Sequence, residues 1–144
     1  MEEQYIHYQE CINCLNTAWR TVCELENNKP GNALWAAAYR MALVEYCKPF
    51  KRSQGLNKQP LKIENLSFDS EFKRLHEEII SLRDTVLAHC DLGPLDAKLV
   101  YGSSDSPMIV MNSTPNLPKP SDIRQLIEFV LDELYRKKSE YIPG

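Results

Sequence analysis

Ala33-Leu34-Trp35-Ala36-Ala37-Ala38-Tyr39-Arg40-Met41-Ala42-Leu43-Val44-Glu45-Tyr46-Cys47 is the stretch on which the fold turns. It holds no glycine or proline, and its apolar residues recur at helical spacing on two faces. Leu34, Ala38, Met41 and Val44 line one, and Trp35, Tyr39, Ala42 and Tyr46 the other. A helix apolar nearly all round is either the centre of a helical domain or is shared with a partner. Arg40 and Glu45 break the run, and it is too short to span a bilayer. Asn32 stands where it can cap this helix, which is expected to run to about Lys51.

Outward from that helix the chain reads as three more. Towards the N-terminus, Gln4 to Glu26 carries Tyr8, Ile12, Leu15, Trp19 and Val22 on one face, widened by Cys11, Ala18 and Cys23. Asn27-Asn28-Lys29-Pro30-Gly31 stops it. Towards the C-terminus, residues 52–66 are polar and basic, with Gly55 and Pro60, and read as a loop. A third helix starts near Ser67 or Asp69, with Phe72, Leu75, Ile79, Leu82 and Val86 on its face, and Gly93-Pro94 marks the stop beyond it. Lys98–Tyr101 and Met108–Met111 flank a Gly/Ser/Asp/Pro cluster and read as a short hairpin. After a Pro-rich connector over 114–120, Ser121 is expected to cap a last helix through Ser139, with Ile123, Leu126, Val130 and Leu134 inward. The expected architecture is mainly α: a four-helix up-and-down bundle with a short β-hairpin between the third and fourth helices. Residues 1–144 are expected to form one domain of ordinary size.

Five glycines in 144 residues are too few for the turns of a β-sandwich, and neither GxGxxG nor GxxxxGK[ST] occurs. Rossmann and P-loop chemistry are thereby excluded. A formal charge of −3 lacks the positive field that coats nucleic acid unspecifically. The charge is uneven, however. Residues 1–28 carry five glutamates against Arg20, whereas 48–62 carry Lys48, Lys51, Arg52, Lys58 and Lys62 with no acid. That basic segment is either a solvated loop or a local contact for a phosphate backbone, with Lys48, Lys51, Arg52 and Lys58 as the candidate RNA-binding residues. The five cysteines are odd in number and lie in apolar helical stretches, as reduced, buried thiols do. No basic and apolar leader opens the chain, and a cytoplasmic location is expected.

Arg83 is the anomaly of the third helix. Its neighbours at three and four residues are Ile79, Ile80, Val86 and Leu87, so no acid is expected within local reach on its own helix to pair with it. An arginine on apolar surface reaches for solvent, pairs with an acid from another helix, or awaits an anion. His89 follows, roughly 120° round an ideal helix and roughly 9 Å along it, so it either caps the helix end or meets Arg83 only where two such helices pack about a two-fold axis. His7, Cys11 and Cys14 share a face as possible zinc ligands, but the apolar setting of Cys11 favours a core role and no metal. His76 is either an extension of an anion site or a surface histidine among Lys73, Glu77 and Glu78.

Arg83-Asp84-Thr85-Val86-Leu87-Ala88-His89-Cys90-Asp91 resembles the Arg-(polar)-x(4–6)-His signature of HEPN proteins. The likeness is to the branch related to phage abortive infection, in which a stretch such as "LRD…AH.D" closes a helix. It covers roughly residues 33–92. Many HEPN-like proteins have asparagine after the arginine; Asp84 instead puts a negative charge beside the phosphate. The resemblance implies a metal-independent endoribonuclease, or toxin-like RNA-directed effector, that acts as a homodimer without a cofactor and is held in check by an antitoxin or other regulatory protein. Arg83 would bind the scissile phosphate and His89 would act as general acid/base, with Asp84 and Asp91 in support. The chemistry is consistent: arginine stays charged and offers a planar fork, and histidine exchanges protons near neutrality. A non-catalytic helical dimer binding RNA, a nucleotide or a protein is the alternative, and a structural adaptor with Arg83 paired internally is a third.

Overall fold

The computed structural model describes residues 2–87, 98–100, 108–110 and 117–142. Four helices carry the fold: α1 (Glu2–Glu26), α2 (Ala33–Cys47), α3 (Ser70–Leu82) and α4 (Pro120–Ser139). A 3₁₀ turn, Lys48–Phe50, follows α2, and a π-helical turn, Arg83–Leu87, follows α3. Two small antiparallel pairs complete the described chain. β1 (Ser53–Gln54) pairs with β2 (Pro60–Leu61), and β3 (Lys98–Val100) pairs with β4 (Met108–Val110) in the register Lys98↔Val110, Leu99↔Ile109 and Val100↔Met108. The protein is mainly α with a short hairpin between the third and fourth helices.

α1 lies against both α2 and α4, and α3 packs on α2 and α4. Its buried residues Cys11, Ile12, Leu15, Ala18, Val22 and Leu25 step along the helix by ones, threes and fours, which gives a stripe wide enough for two partners. Ile123, Leu126, Ile127, Val130, Leu131 and Leu134 of α4 meet one side of it, and Tyr39, Ala42, Leu43, Tyr46 and Cys47 of α2 are buried in the same core. Polar ties fix the α1–α4 contact. Trp19 Nε1 donates to Glu128 Oε1 at 3.1 Å, and Arg124 bridges Glu26 at 2.6 Å and Glu128 at 3.2 Å.

Several boundaries differ from the sequence reading. Asn32 caps α2 as expected, accepting from the Trp35 N–H at 2.7 Å. The α-helix ends at Cys47 rather than near Lys51, because Pro49 has no N–H to give to the carbonyl of Glu45; that carbonyl takes the N–H of Lys48. Of the two starts read for α3, Asp69 is the one that caps it, accepting from the Phe72 N–H at 2.9 Å. The cap of α4 is Lys119 rather than Ser121, since Pro120 supplies the first helical residue, where its missing N–H is not needed. The 52–66 loop contains the β1–β2 pair, which lacks the β-branched residues that announce strands. α2 is not the centre of the chain: Tyr39 and Tyr46 face inward, whereas Leu34 is 84% and Met41 53% exposed.

His76 is no surface histidine. Its ring stacks on Phe68 at 4.6 Å and meets the Phe50 edge at 4.5 Å, and the hydroxyl of the buried Tyr46 lies 2.7 Å from Nδ1. A buried phenol needs an acceptor, which the neutral imidazole provides. Burial lowers the His76 pKa below its ordinary 6.5, opposed by the weaker pull of Glu77. A folded-state pKa below the unfolded one gives stability that is complete above pH 6.5 and lost as pH falls through the folded value. Thermal unfolding followed by circular dichroism is expected to show a falling midpoint from pH 7 to 5, with a shallower fall in His76→Phe. Equal slopes would contradict this role.

Candidate functional site

A cleft of about 540 Å³ opens where the N-terminal half of α1, the end of α2, the β1–β2 hairpin and the turn after α3 meet. Four cations line it, brought from three places in the chain: Lys48 from the 3₁₀ turn, Lys51 and Arg52 from the segment leading into β1, and Arg83 from the π-helical turn. α1 contributes Glu3, Ile6, His7, Glu10, Cys11 and Cys14, and the hairpin contributes Leu56 and Leu61. Three of the four basic residues singled out in the 48–58 segment therefore line the same cleft as Arg83. Lys58 does not line the cleft; it sits at the hairpin turn with φ +60°.

Asp84 organises the cationic wall. Its Oδ2 accepts from Lys51 Nζ at 2.7 Å and its Oδ1 from Arg83 Nη1 at 3.1 Å. The hydrogen bond from Lys51, and after it that from Arg83, holds the Asp84 carboxyl below the ordinary carboxylate range. The expectation that Arg83 has no acid in local reach is thus corrected. The partner is the next residue in the chain, which is not a neighbour at three- and four-residue spacing but is reached by the long guanidinium. The pair is not buried, with Arg83 36% and Asp84 41% exposed. Such an ion pair contributes roughly 0–1 kcal/mol and leaves both cations accessible to a stronger anion. Lys48 is held similarly by Glu45 at 2.6 Å. Arg52 is exposed and has no ion-pair partner among the described residues.

The π-helical turn begins at Arg83, whose backbone N–H is shared between the carbonyls of Ile79 and Ile80. Thr85 Oγ1 donates to the Ser81 carbonyl at 2.8 Å within the same turn. A turn of this kind is wider than an α-turn, and such insertions recur at functional sites. The ideal-helix angle read between Arg83 and His89 therefore does not carry over. His89 and Asp91 themselves lie outside the described residues, as does Cys90.

His7 was read with Cys11 and Cys14 as core rather than metal ligands. Its Nε2 lies 3.5 Å from Cys11 Sγ. Burial lowers the His7 pKa below 6.5 and pushes the Cys11 thiol up to about 12. Both are neutral at pH 7 in this apolar setting. Among the described residues no group of histidine, cysteine and carboxylate side chains is arranged to hold a metal ion. The four described cysteines are unpaired.

Sequence reasoning missed the α1 and hairpin side of the cleft. The available signal was Ile6 on an otherwise polar helical face and Leu56 as the one large apolar side chain over 52–59. Comparison with protein families, with curated proteins and with solved structures finds no match. No helix among the described residues is long and apolar enough to cross a membrane.

Proposed function

We propose that this chain is an RNA-directed protein of the HEPN type, a metal-independent endoribonuclease that holds the scissile phosphate in this cleft. The observation that carries the reading is the convergence of Arg83 with Lys48, Lys51 and Arg52 on one concavity. Arg83 and Lys51 trade their contacts with Asp84 for phosphate oxygens, which are shared among charge-assisted hydrogen bonds. The 2′-hydroxyl loses its proton to water as its oxygen attacks phosphorus, the bond to the 5′-oxygen breaks and a 2′,3′-cyclic phosphate forms. His89 delivers the proton that the leaving oxygen needs. Asp84 holds Arg83 and Lys51 side by side before RNA arrives and competes with the phosphate for them. The protein acts in the cytoplasm, under the control of a partner or antitoxin.

The exposed face of α2 supports a homodimer. Leu34, Ala37 and Met41, with Val44 half-exposed beside them, make an apolar stripe that ends at the cleft through Val44 and Lys48. Sedimentation equilibrium at micromolar concentration is expected to give a dimer for the wild type and a monomer for the Leu34→Glu/Met41→Glu double variant. A monomeric wild type would remove the dimer from this account.

RNA incubated with wild type, Arg83→Ala and His89→Ala, with and without EDTA, tests the activity. Cleavage by the wild type alone, unaffected by EDTA, is the expected result, with RNA binding retained in His89→Ala. Cleavage persisting in both variants would overturn the assignment. One observation favours a second reading, a non-catalytic RNA-binding dimer: Asp84 neutralises part of the charge that would stabilise a crowded phosphate. Wild-type binding without cleavage of any RNA would establish that reading in place of the first.

A further inference from the structure

The lining of the cleft combines two chemistries. With Lys51, Arg52 and Arg83 it holds Ile6 of α1 and Leu56 and Leu61 of the hairpin, beside Glu3 and Glu10. Ile6 is 47% and Leu56 75% exposed, although each stands among polar neighbours that would serve a solvated surface equally well. Nor is Leu56 on a loose tip. The hairpin is closed by the Ser53↔Leu61 and Gln54↔Pro60 pairs and by Gly55 N–H donating to the Gln59 carbonyl at 2.8 Å. It is fastened to α1 by Asn57 Nδ2 donating to Glu3 Oε2 at 3.1 Å, and to the 3₁₀ turn by Ile63 N–H donating to the Pro49 carbonyl at 2.8 Å. Gly55 makes the α1 contact possible, since a Cβ there would overlap Glu3 Oε1 and press on the Gln59 carbonyl. The backbone thus holds an apolar side chain at the mouth of a cationic cleft.

A simple inorganic anion would occupy the cations and leave Ile6 and Leu56 in water. A ligand with a flat, weakly polar ring about one sugar away from its phosphate satisfies both sides. We propose that the cleft takes one unpaired nucleotide, with phosphate on Arg83, Lys51 and Arg52 and the base against Ile6, Leu56 and Leu61, so that the β1–β2 hairpin senses the base. The cleft volume is that of a site for a ligand of this size, and a duplex does not enter it. His7 opens on the same space as a neutral hydrogen-bonding group. The inference rests on the phosphate reading above and adds a second recognition element to it.

Fluorescence anisotropy of the full-length protein with two labelled probes of equal charge, a hexauridylate and an abasic ribose-phosphate hexamer, separates the two. The wild type is expected to bind the base-bearing probe about tenfold tighter than the abasic one. Leu56→Ser and Ile6→Ser should each shrink that ratio several-fold and leave the abasic affinity unchanged, with circular dichroism spectra like the wild type. Equal wild-type affinity for the two probes, or a ratio unmoved by both variants, would overturn the hairpin's role and leave the phosphate site standing. Absence of binding to either probe would remove the phosphate reading and this inference together.

Discussion

An Arg83→Ala variant is expected to lose RNA cleavage by a factor of about 10²–10³ or more and RNA affinity by about tenfold, while its unfolding midpoint stays close to that of the wild type. The functional loss follows from removing the one planar, permanently charged donor in the cleft that comes from the π-helical turn. The small structural cost follows from exposure: the only ion pair recorded for Arg83 among the described residues is the one to Asp84, 36% and 41% exposed, and Asp84 keeps Lys51 at 2.7 Å when the arginine is gone. Asp84→Asn should act in the opposite direction on affinity. It frees Lys51 and Arg83 from their shared carboxylate, so RNA binding should tighten in an anisotropy titration. A strong loss of stability in Arg83→Ala, or weaker binding in Asp84→Asn, would mean that the trio is a structural clasp.

Leu15→Ala is the substitution expected to damage the fold most. Leu15 is fully buried at the middle of α1, in the core that α1 shares with α2 and α4. Truncation removes the transfer energy of the lost atoms and leaves a cavity, together about 3 kcal/mol, because neighbours on two sides cannot both close in. For a chain of this length that lowers the midpoint by roughly 10 °C. Chemical denaturation read by the tryptophan fluorescence would report it, since Trp19 lies one turn further on and packs on the same core. A loss below about 1 kcal/mol would mean that α1 is not the central element.

Much of this architecture can be read from the chain because helices advertise themselves by period. Ile12, Leu15 and Val22, and Ile123, Leu126, Val130 and Leu134, were read as inward faces and are fully buried. The same rule failed to orient α2, where two apolar faces compete and only the tertiary context puts Tyr39 and Tyr46 inside. It also failed to foresee the π-helical turn, since a pattern read at 3.6 residues per turn has no place for a wider one. Asp84 was passed over as a partner for Arg83 because adjacent residues do not face each other on a regular helix. The cleft is harder still. Ile6 and His7 lie more than 40 residues before Lys51, and Arg83 more than 30 after it, so their meeting depends on the packing of α1 against the end of α2 and no local spacing encodes it. The β1–β2 hairpin escaped because Ser53, Gln54 and Pro60 carry none of the branched side chains that mark strands.

The convergence of cations on one cleft is tested most directly by the salt dependence of RNA binding. Each phosphate contact to single-stranded RNA releases condensed counterions and contributes about 0.7 to the slope of log K against log salt. Titrating a hexauridylate into the wild type, Lys51→Ala, Arg83→Ala and the Lys51→Ala/Arg52→Ala/Arg83→Ala triple variant across a range of potassium chloride gives those slopes. The slope should become shallower with each cation removed and be smallest in the triple variant, which keeps only Lys48 of the four cleft cations. A slope that stays at the wild-type value when all three cations are gone would contradict it.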